Sequence, residues 1–158
     1  RQLLATGPPG EELAAQTCSD CLVVRVALIV GPALGRSKSH YDQIVNDLRS
    51  RKFVSLFADE WRGMLSYESA AQTLLRLARS KHRGLVHLAG TRRSRLELGY
   101  LLAEQLGCPG RVLAGQRSDL ASPEPRPCDL TLDTQKLQNW LPDWKPVPLE
   151  EEIQGWLP

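Results

Sequence analysis

The sequence predicts an α/β fold, and three observations carry this prediction. Apolar runs of strand length alternate along the 158 residues with amphipathic segments of helix length, which is typical of βαβ units. The first apolar run, "CLVVRVALIVG", is rich in Val, Leu and Ile without polar alternation, as in a parallel-sheet strand buried on both faces. Serines stand at the starts of the helical segments, where N-caps are expected.

Each predicted element has a local signal. Helix 39–52 has apolar residues at i, i+3, i+4 and i+7, and helix 66–81 begins at a serine N-cap. Helix 94–107 begins at Ser94, with Glu97 at capping-box spacing. In chain order we predict the end of a helix and a turn over 1–16, strand 21–31, helix 39–52, strand 53–59, helix 66–81, strand 84–90, helix 94–107, strand 111–115, a proline-rich loop over 118–132, helix 133–141 and helix 149–157. The predicted core face of helix 66–81 is Ala70, Ala71, Leu74, Leu75 and Ala78.

The composition excludes several classes of protein. The chain is 42% hydrophobic and 24% charged, which is enough apolar sequence to bury a core. Its net charge of +2 lacks the strong basic excess that nucleic-acid binding requires. No uninterrupted apolar run is long enough to cross a membrane, and no secretory signal is visible. We therefore expect no nucleic-acid or membrane partner and a cytoplasmic location.

The cysteines and histidines predict no metal site. Cys18 and Cys21 form a CxxC without a second ligand pair at zinc-finger spacing. A redox CxxC is expected to open a helix, whereas this one precedes a strand, so we expect reduced thiols. His87 lies inside a predicted strand and is interpreted as a hydrogen-bonded core residue. The three histidines are scattered along the sequence.

The loop "GPALGRSKS" lies between the first strand and the next helix, where open α/β sheets bind ligands. Its glycines are one residue too close for a P-loop, and its lysine comes three residues after the second glycine. A nucleotide triphosphatase is therefore excluded. The loop nevertheless brings Arg36 and Lys38 to the end of a strand, either as binding residues or as a solvated basic surface.

The stretch "DEWRG", residues 59–63, is the second candidate binding segment. Trp61 offers an aromatic face, and Arg62 offers a planar set of donors suited to a pyrophosphate or a sugar. Asp59 and Glu60 could hold the arginine in place. The alternative is a surface cluster of ion pairs that contributes little stability.

Common catalytic motifs are missing from the sequence. It contains no GxGxxG and no GxSxG, and none of its tyrosines has a lysine four residues later. We therefore predict no catalytic residue within the chain.

Four blocks in order resemble the C-terminal half of the dTDP-4-dehydrorhamnose reductase family, which belongs to the extended short-chain dehydrogenase/reductases. The blocks are "VVRVALIVGP", "LFADEWRGMLSYESAAQTLLRLA", "RGLVHLAGTRRSRLELGYLLAEQLG" and "PEPRPCDLTLDTQKLQ". They cover about residues 20 to 153, and "HLAG", "SRLELG" and "RPCDLTLD" are the more specific parts. The resemblance implies the C-terminal part of a Rossmann-type parallel sheet with a small substrate-binding lobe.

The resemblance also implies a division of the chain and a set of site residues. Residues 1–31 and 67–90 would belong to the Rossmann domain, and 32–66 and 91–158 to the lobe. The loop formed by Val30, Gly31 and Pro32 would lie against the nicotinamide end of NADP or NAD, which the preceding half of the protein would mainly bind. Lys38, Trp61 and Arg62 would line the cleft for a nucleotide-sugar.

The implied function is part of an NAD(P)-dependent reductase of a 4-keto nucleotide-sugar, with this chain supplying substrate binding and with a homodimer as a possible assembly. An alternative is a non-catalytic binding protein of the same fold, like the regulatory beta subunit of methionine adenosyltransferase. Family members often carry Thr-Ser-Trp after the strand arginine, but here Val26, Ala27 and Leu28 follow Arg25, which favours the alternative. A third hypothesis is a stand-alone interaction domain.

Overall fold

A computed structural model describes residues 8–35, 38–119 and 127–156. Its helices and strands alternate along most of the chain, which confirms the predicted α/β class. In chain order the elements are α1 (Pro8–Thr17), β1 (Leu22–Val26), β2 (Ile29–Val30), α2 (His40–Arg49), β3 (Val54–Phe57), β4 (Trp61–Ser66), α3 (Tyr67–Ala78), β5 (Gly84–Leu88), β6 (Thr91–Ser94), α4 (Arg95–Gln105), β7 (Val112–Gly115), α5 (Gln135–Trp140) and α6 (Leu149–Gln154).

The strands of the described residues form three small sheets. β1 pairs in parallel with β5, and β3 pairs in parallel with β7. β2 pairs in parallel with β4, which pairs on its other side with antiparallel β6. Parallel pairing is therefore present in every sheet, as the Val-rich and Leu-rich strands predicted.

The predicted strand 21–31 is two strands that belong to different sheets. The chain leaves β5 after Ala27, whose N–H donates to the Leu88 carbonyl at 2.9 Å. It joins β4 at Leu28, whose carbonyl accepts from the Leu65 N–H at 3.2 Å. The expectation of burial on both faces was wrong for β1, because all five of its residues are only half-buried.

Three of the predicted helix starts are confirmed by their side-chain caps. The hydroxyls of Ser39, Ser66 and Ser94 each accept from the backbone N–H three residues later. The predicted core face of α3 was mostly wrong, because Ala70 is buried but Leu75 is 58% exposed. The buried residues of α3 are Ala70, Thr73 and Leu77.

Three segments differ from the sequence prediction. Residues 8–17, predicted mainly as a turn, form α1, whereas 1–7 lie outside the described residues. "WRGMLS" and "TRRS" form β4 and β6 rather than loop and helix start. They pair with each other from Trp61 opposite Ser94 to Met64 opposite Thr91. Single-sequence signals missed these strands because their polar residues suit a solvated loop equally well.

Two apolar clusters form the core of the described chain. The first lies among α2, α4, α6 and strands β2, β3 and β4, and the second joins α3 and α5 to β5. Because both clusters draw on distant segments, the C-terminal residues are integral to the fold. Fully buried members include Leu48, Leu102 and Ile153 in the first cluster and Leu77, Leu88 and Leu137 in the second.

Candidate functional site

A small cleft of about 40 Å³ lies where the chain leaves β2. It contains two of the three predicted cofactor-binding residues, Val30 and Gly31. It also contains charged or polar side chains from α2 and α4 that are distant in sequence. Its walls are Leu28, Ile29, Val30, Gly31, Ser39, His40, Tyr41, Arg95 and Leu98.

The N-terminal cap of α2 fixes the loop on one side of this cleft. The Ser39 hydroxyl donates to the Gly31 carbonyl at 2.8 Å. The Asp42 carboxylate accepts from the backbone N–H groups of Ser39 and Ala33 at 2.8 and 3.0 Å. A single capping box therefore holds the two ends of the 31–39 loop together.

The Asp42 interactions predict a pH dependence. Desolvation by itself raises the pKa of Asp42, but hydrogen bonds from Ser39 and Ala33 outweigh it and lower the pKa below the model-compound value of 3.8. A carboxyl whose pKa falls on folding stabilises the protein above its unfolded-state pKa, and this stability is lost as pH falls through the folded value. We expect Asp42→Asn to cost about 1 kcal/mol at neutral pH and progressively less below pH about 4. Urea titrations of both proteins across this range measure it; a difference independent of pH would contradict the role of the ionised carboxylate.

A glycine is required at position 31 because the ring of Tyr67 lies against its backbone. A Cβ atom at this position would lie 2.3 Å from Cε1 of Tyr67. The Tyr67 ring stacks on Trp156 at 5.9 Å between ring centroids, and Tyr41 contacts the same indole edge-on at 5.5 Å. Burial raises the pKa of Tyr41, whose hydroxyl has no hydrogen-bond partner within the described residues. Three packed aromatic rings therefore support Gly31 and the part of the cleft wall that Tyr41 forms.

A charged chain connects "DEWRG" to the cleft. One oxygen of Glu60 accepts from Arg62 at 2.8 Å and from Arg95 at 3.4 Å. These three side chains are only 14–20% exposed, so water screens their charges less than on an open surface. Arg62 also donates to the carbonyls of Trp61 and Cys128 at 2.6 and 3.1 Å. The two arginines and the glutamate together carry one net positive charge, and Arg95 among them lines the cleft with Gly31.

Trp61 is held by contacts on several sides. The Arg92 guanidinium lies 3.8 Å from the indole centroid, a cation–π contact, and is paired with Asp129 at 2.9 Å. The Trp61 backbone pairs with the 128–130 segment through hydrogen bonds to Cys128 and Leu130 of 2.8 and 3.1 Å. One face of the indole is thus already occupied by a protein cation.

The predicted site residues fall into two groups. Val30 and Gly31 line the cleft, and Pro32 follows them in the chain. Trp61 and Arg62 lie on β4, and Arg62 reaches the cleft wall only through Glu60 and Arg95. Lys38 is exposed in the loop before α2, and Arg36 lies outside the described residues.

Arg95 is the residue that sequence reasoning missed. It was assigned only to the start of a predicted helix, although it lies beside the cleft and pairs with Glu60. The Arg95 N–H also donates to the Glu60 carbonyl at 3.0 Å. Asp59, expected to hold Arg62, instead accepts from the backbone N–H of Arg117 at 3.1 Å. Only the pairing of β4 with β6 places Arg95 next to Glu60, so no local signal could have found it.

A larger cleft of about 130 Å³ lies between α3 and the 143–147 segment. Arg76 in its wall is paired with Asp143 at 2.6 Å. Lys145 also lines this cleft, whereas none of the predicted site residues does. We therefore place the candidate site at the smaller cleft, where the predicted residues and the charged chain meet.

Neither a cluster of metal ligands nor a membrane-spanning helix is present in the described ranges. No group of three or more His, Cys, Asp or Glu side chains there could hold a metal ion. None of the helices in these ranges combines the length and the apolar character needed to cross a bilayer.

Solved structures of sugar-nucleotide enzymes share this fold. The dTDP-4-dehydrorhamnose reductase of Bacillus anthracis, in complex with NADP, matches with a TM-score of 0.80 and 14% identity over 93% of this chain and 51% of that one. The Yersinia enterocolitica reductase gives 0.75 and 18% over 93% and 52%. A UDP-N-acetylglucosamine 4-epimerase from Methanobrevibacter ruminantium, in complex with UDP-N-acetylmuramic acid, gives 0.71 and 13% over 92% and 47%. The chain thus spans about half the length of the structures it matches.

A family-level match agrees with the structural one. No curated protein sequence matches the chain significantly. The sequence model of a protein family does match, over residues 5–154, and that family is described as the RmlD substrate binding domain. This range includes the cleft loop, the charged chain and both core clusters. The chain belongs to the RmlD substrate binding domain family.

Proposed function

We propose that this chain is the substrate-binding part of an NAD(P)-dependent reductase that acts on a 4-keto nucleotide-sugar. The observation that carries the proposal is the Arg62–Glu60–Arg95 chain, which ends beside the cleft after β2. Two guanidinium groups around one carboxylate leave donors and positive charge for a diphosphate. The likeness to dTDP-4-dehydrorhamnose reductases supports the choice of substrate class.

The cofactor in this proposal contacts Val30, Gly31 and Pro32 at its nicotinamide end. The contact is supported by the position of Val30 and Gly31 in the wall of the cleft, at the end of a strand where open α/β sheets bind ligands. When bound, NADP or NAD in its reduced form supplies the hydride. The residues of this chain position the ring and exclude water, and the proton-transfer groups lie elsewhere in the whole protein.

The substrate side consists of Lys38, Trp61 and Arg62 from the sequence prediction, together with Arg95. Arg95 is the direct diphosphate ligand, since it lines the cleft. Arg62 is a positioning residue that holds Glu60 and the 128–130 segment. Lys38 is exposed, and it contributes charge at the rim.

The same proposal divides the chain into two parts. Segments 1–31 and 67–90 belong to the Rossmann domain, and 32–66 and 91–158 form the substrate-binding lobe. The parallel pair β1–β5 falls entirely within the first set of segments, and the pair β3–β7 within the second. β2 pairs with β4 across this division, so it connects the two parts.

Calorimetric binding of dTDP-rhamnose, the reduced product of dTDP-4-dehydrorhamnose, tests the proposal on the whole protein. Losing a charge-assisted hydrogen bond removes about 1.5–3 kcal/mol, so Arg95→Ala is expected to weaken binding by about 10-fold to 100-fold. Arg62→Ala is expected to weaken it less, because Arg62 acts through Glu60. Arg79→Ala, at the exposed end of α3, is the matched control. Equal affinities for Arg95→Ala and Arg79→Ala would remove Arg95 from the site.

A non-catalytic binding protein of the same fold is the second candidate. The sequence after Arg25 supports it, because Val26, Ala27 and Leu28 stand where family members often carry Thr-Ser-Trp. Oxidation of NADPH by the whole protein in the presence of dTDP-4-dehydrorhamnose separates the two functions. Turnover supports the reductase, whereas nucleotide-sugar binding without turnover supports the binding protein.

A further inference from the structure

Cys18 and Cys21 flank a tight turn between α1 and β1. Ser19 and Asp20 form this turn, and a β-turn brings its first and last Cα atoms to within about 7 Å. A disulfide requires Cα atoms about 4.4–6.8 Å apart, so the turn places the two cysteines in the range of a covalent bond. Cys18 is exposed and Cys21 is half-buried, and both are free thiols.

The turn is anchored at both ends. The Cys18 N–H donates to the Ala14 carbonyl at 3.0 Å in the last turn of α1. The Cys21 carbonyl accepts from the Gly84 N–H at 3.0 Å, which begins the pairing of β1 with β5. A fixed turn reduces the conformational entropy lost when the two sulfur atoms are joined.

A cation stands beside the two thiols. Arg83 is paired with Asp20, inside the turn itself. The hydrogen bond to Asp20 is the main cause that raises the pKa of Arg83, and the charges of Cys18 and Cys21 raise it further. The Arg83–Asp20 pair therefore holds the turn that carries both cysteines against the start of β5.

We propose that Cys18 and Cys21 form a reversible intramolecular disulfide by exchange with a low-molecular-weight disulfide. The thiolate of exposed Cys18 attacks one sulfur of the small disulfide, breaks its S–S bond and releases one thiolate. The Cys21 thiolate then attacks the Cys18 sulfur and releases the second small thiol. The two cysteines lose two electrons and two protons, and the small disulfide is reduced to two thiols.

The position of Cys18 and Cys21 in the fold indicates how easily a disulfide between them would be reduced. Oxidoreductases with a strongly oxidising CxxC stabilise the reduced thiolate, as a helix N-terminus does. Cys18 instead follows the C-terminal end of α1 and so lacks the helix N-terminus of those proteins. The Cys18–Cys21 disulfide is therefore expected to be harder to reduce than the disulfides of those oxidoreductases, which suits a modification site rather than an oxidising enzyme.

Alkylation after incubation with oxidised glutathione tests the proposal. We expect two of the four cysteines to become protected from a maleimide, with a loss of two hydrogens in mass, and peptide mapping to assign them to Cys18 and Cys21. Reduction with dithiothreitol restores alkylation. Arg83→Gln is expected to slow protection several-fold.

The variants distinguish this site from the other two cysteines. Cys128→Ser, which removes another exposed thiol, is expected to leave protection unchanged, and Cys18→Ser to leave only a glutathione adduct on Cys21. Full alkylation of the wild type, adducts of glutathione in place of the internal bond, or unchanged protection in Cys18→Ser would each overturn the proposal.

Discussion

Replacing Gly90 with alanine is expected to lower the free energy of unfolding by more than about 3 kcal/mol. A Cβ atom at this position would lie 1.8 Å from the Met64 carbonyl oxygen and 2.6 Å from its carbonyl carbon. Both atoms belong to the backbone of β4, so no side-chain rotation relieves the overlap. The glycine ends the "HLAG" block and allows the segment between β5 and β6 to pass in contact with β4.

Thermal unfolding measures this effect. A loss of 3 kcal/mol in a protein of this size corresponds to a fall of about 6–12 °C in Tm. Gly110→Ala is the matched control, because nothing lies within 4 Å of a Cβ atom there. Equal melting temperatures for the two variants would show that Gly90 and β4 are not in the described contact.

Leu149→Ala is expected to cost about 3 kcal/mol, within the range for buried leucine truncation. Leu149 begins α6, is 1% exposed and belongs to the first core cluster. The truncation leaves a cavity between α6 and the rest of that cluster. Because Trp156 follows α6 and stacks on Tyr67, loosening α6 also disturbs the wall behind Gly31.

Leu75→Ala is the control for this truncation. It removes the same atoms from a helix position that is 58% exposed, so we expect a change below about 0.5 kcal/mol. Urea denaturation of both variants gives the comparison. Similar losses at the two positions would contradict the assignment of α6 to the core.

Local sequence signals predicted the helices well because their caps are local. Ser39 with Asp42 and Ser94 with Glu97 each satisfy the first turn of their own helix. The same signals failed for α3, whose core face has Thr73 rather than Leu75. Thr73 is buried because Trp144, distant in sequence, donates its indole N–H to the hydroxyl at 3.0 Å.

The candidate site was only partly predictable, because its contacts also join residues that are distant in sequence. The position of a loop after a strand predicted Val30 and Gly31, and the chemistry of the side chains predicted Trp61 and Arg62. The sequence could not show that Arg92 covers Trp61 or that Glu60 joins Arg62 to Arg95. These contacts arise from the pairing of β4 with β6, an arrangement that polar strands do not encode locally.

The amino-acid order by itself therefore determined the α/β class, the helix starts and the family resemblance, because caps, periodicity and motif spacing act over a few residues. The tertiary structure alone decided that the strand after Cys21 divides between two sheets and that Arg95 stands at the cleft. Strand partners and ion pairs depend on segments brought together only when the chain buries its apolar surface.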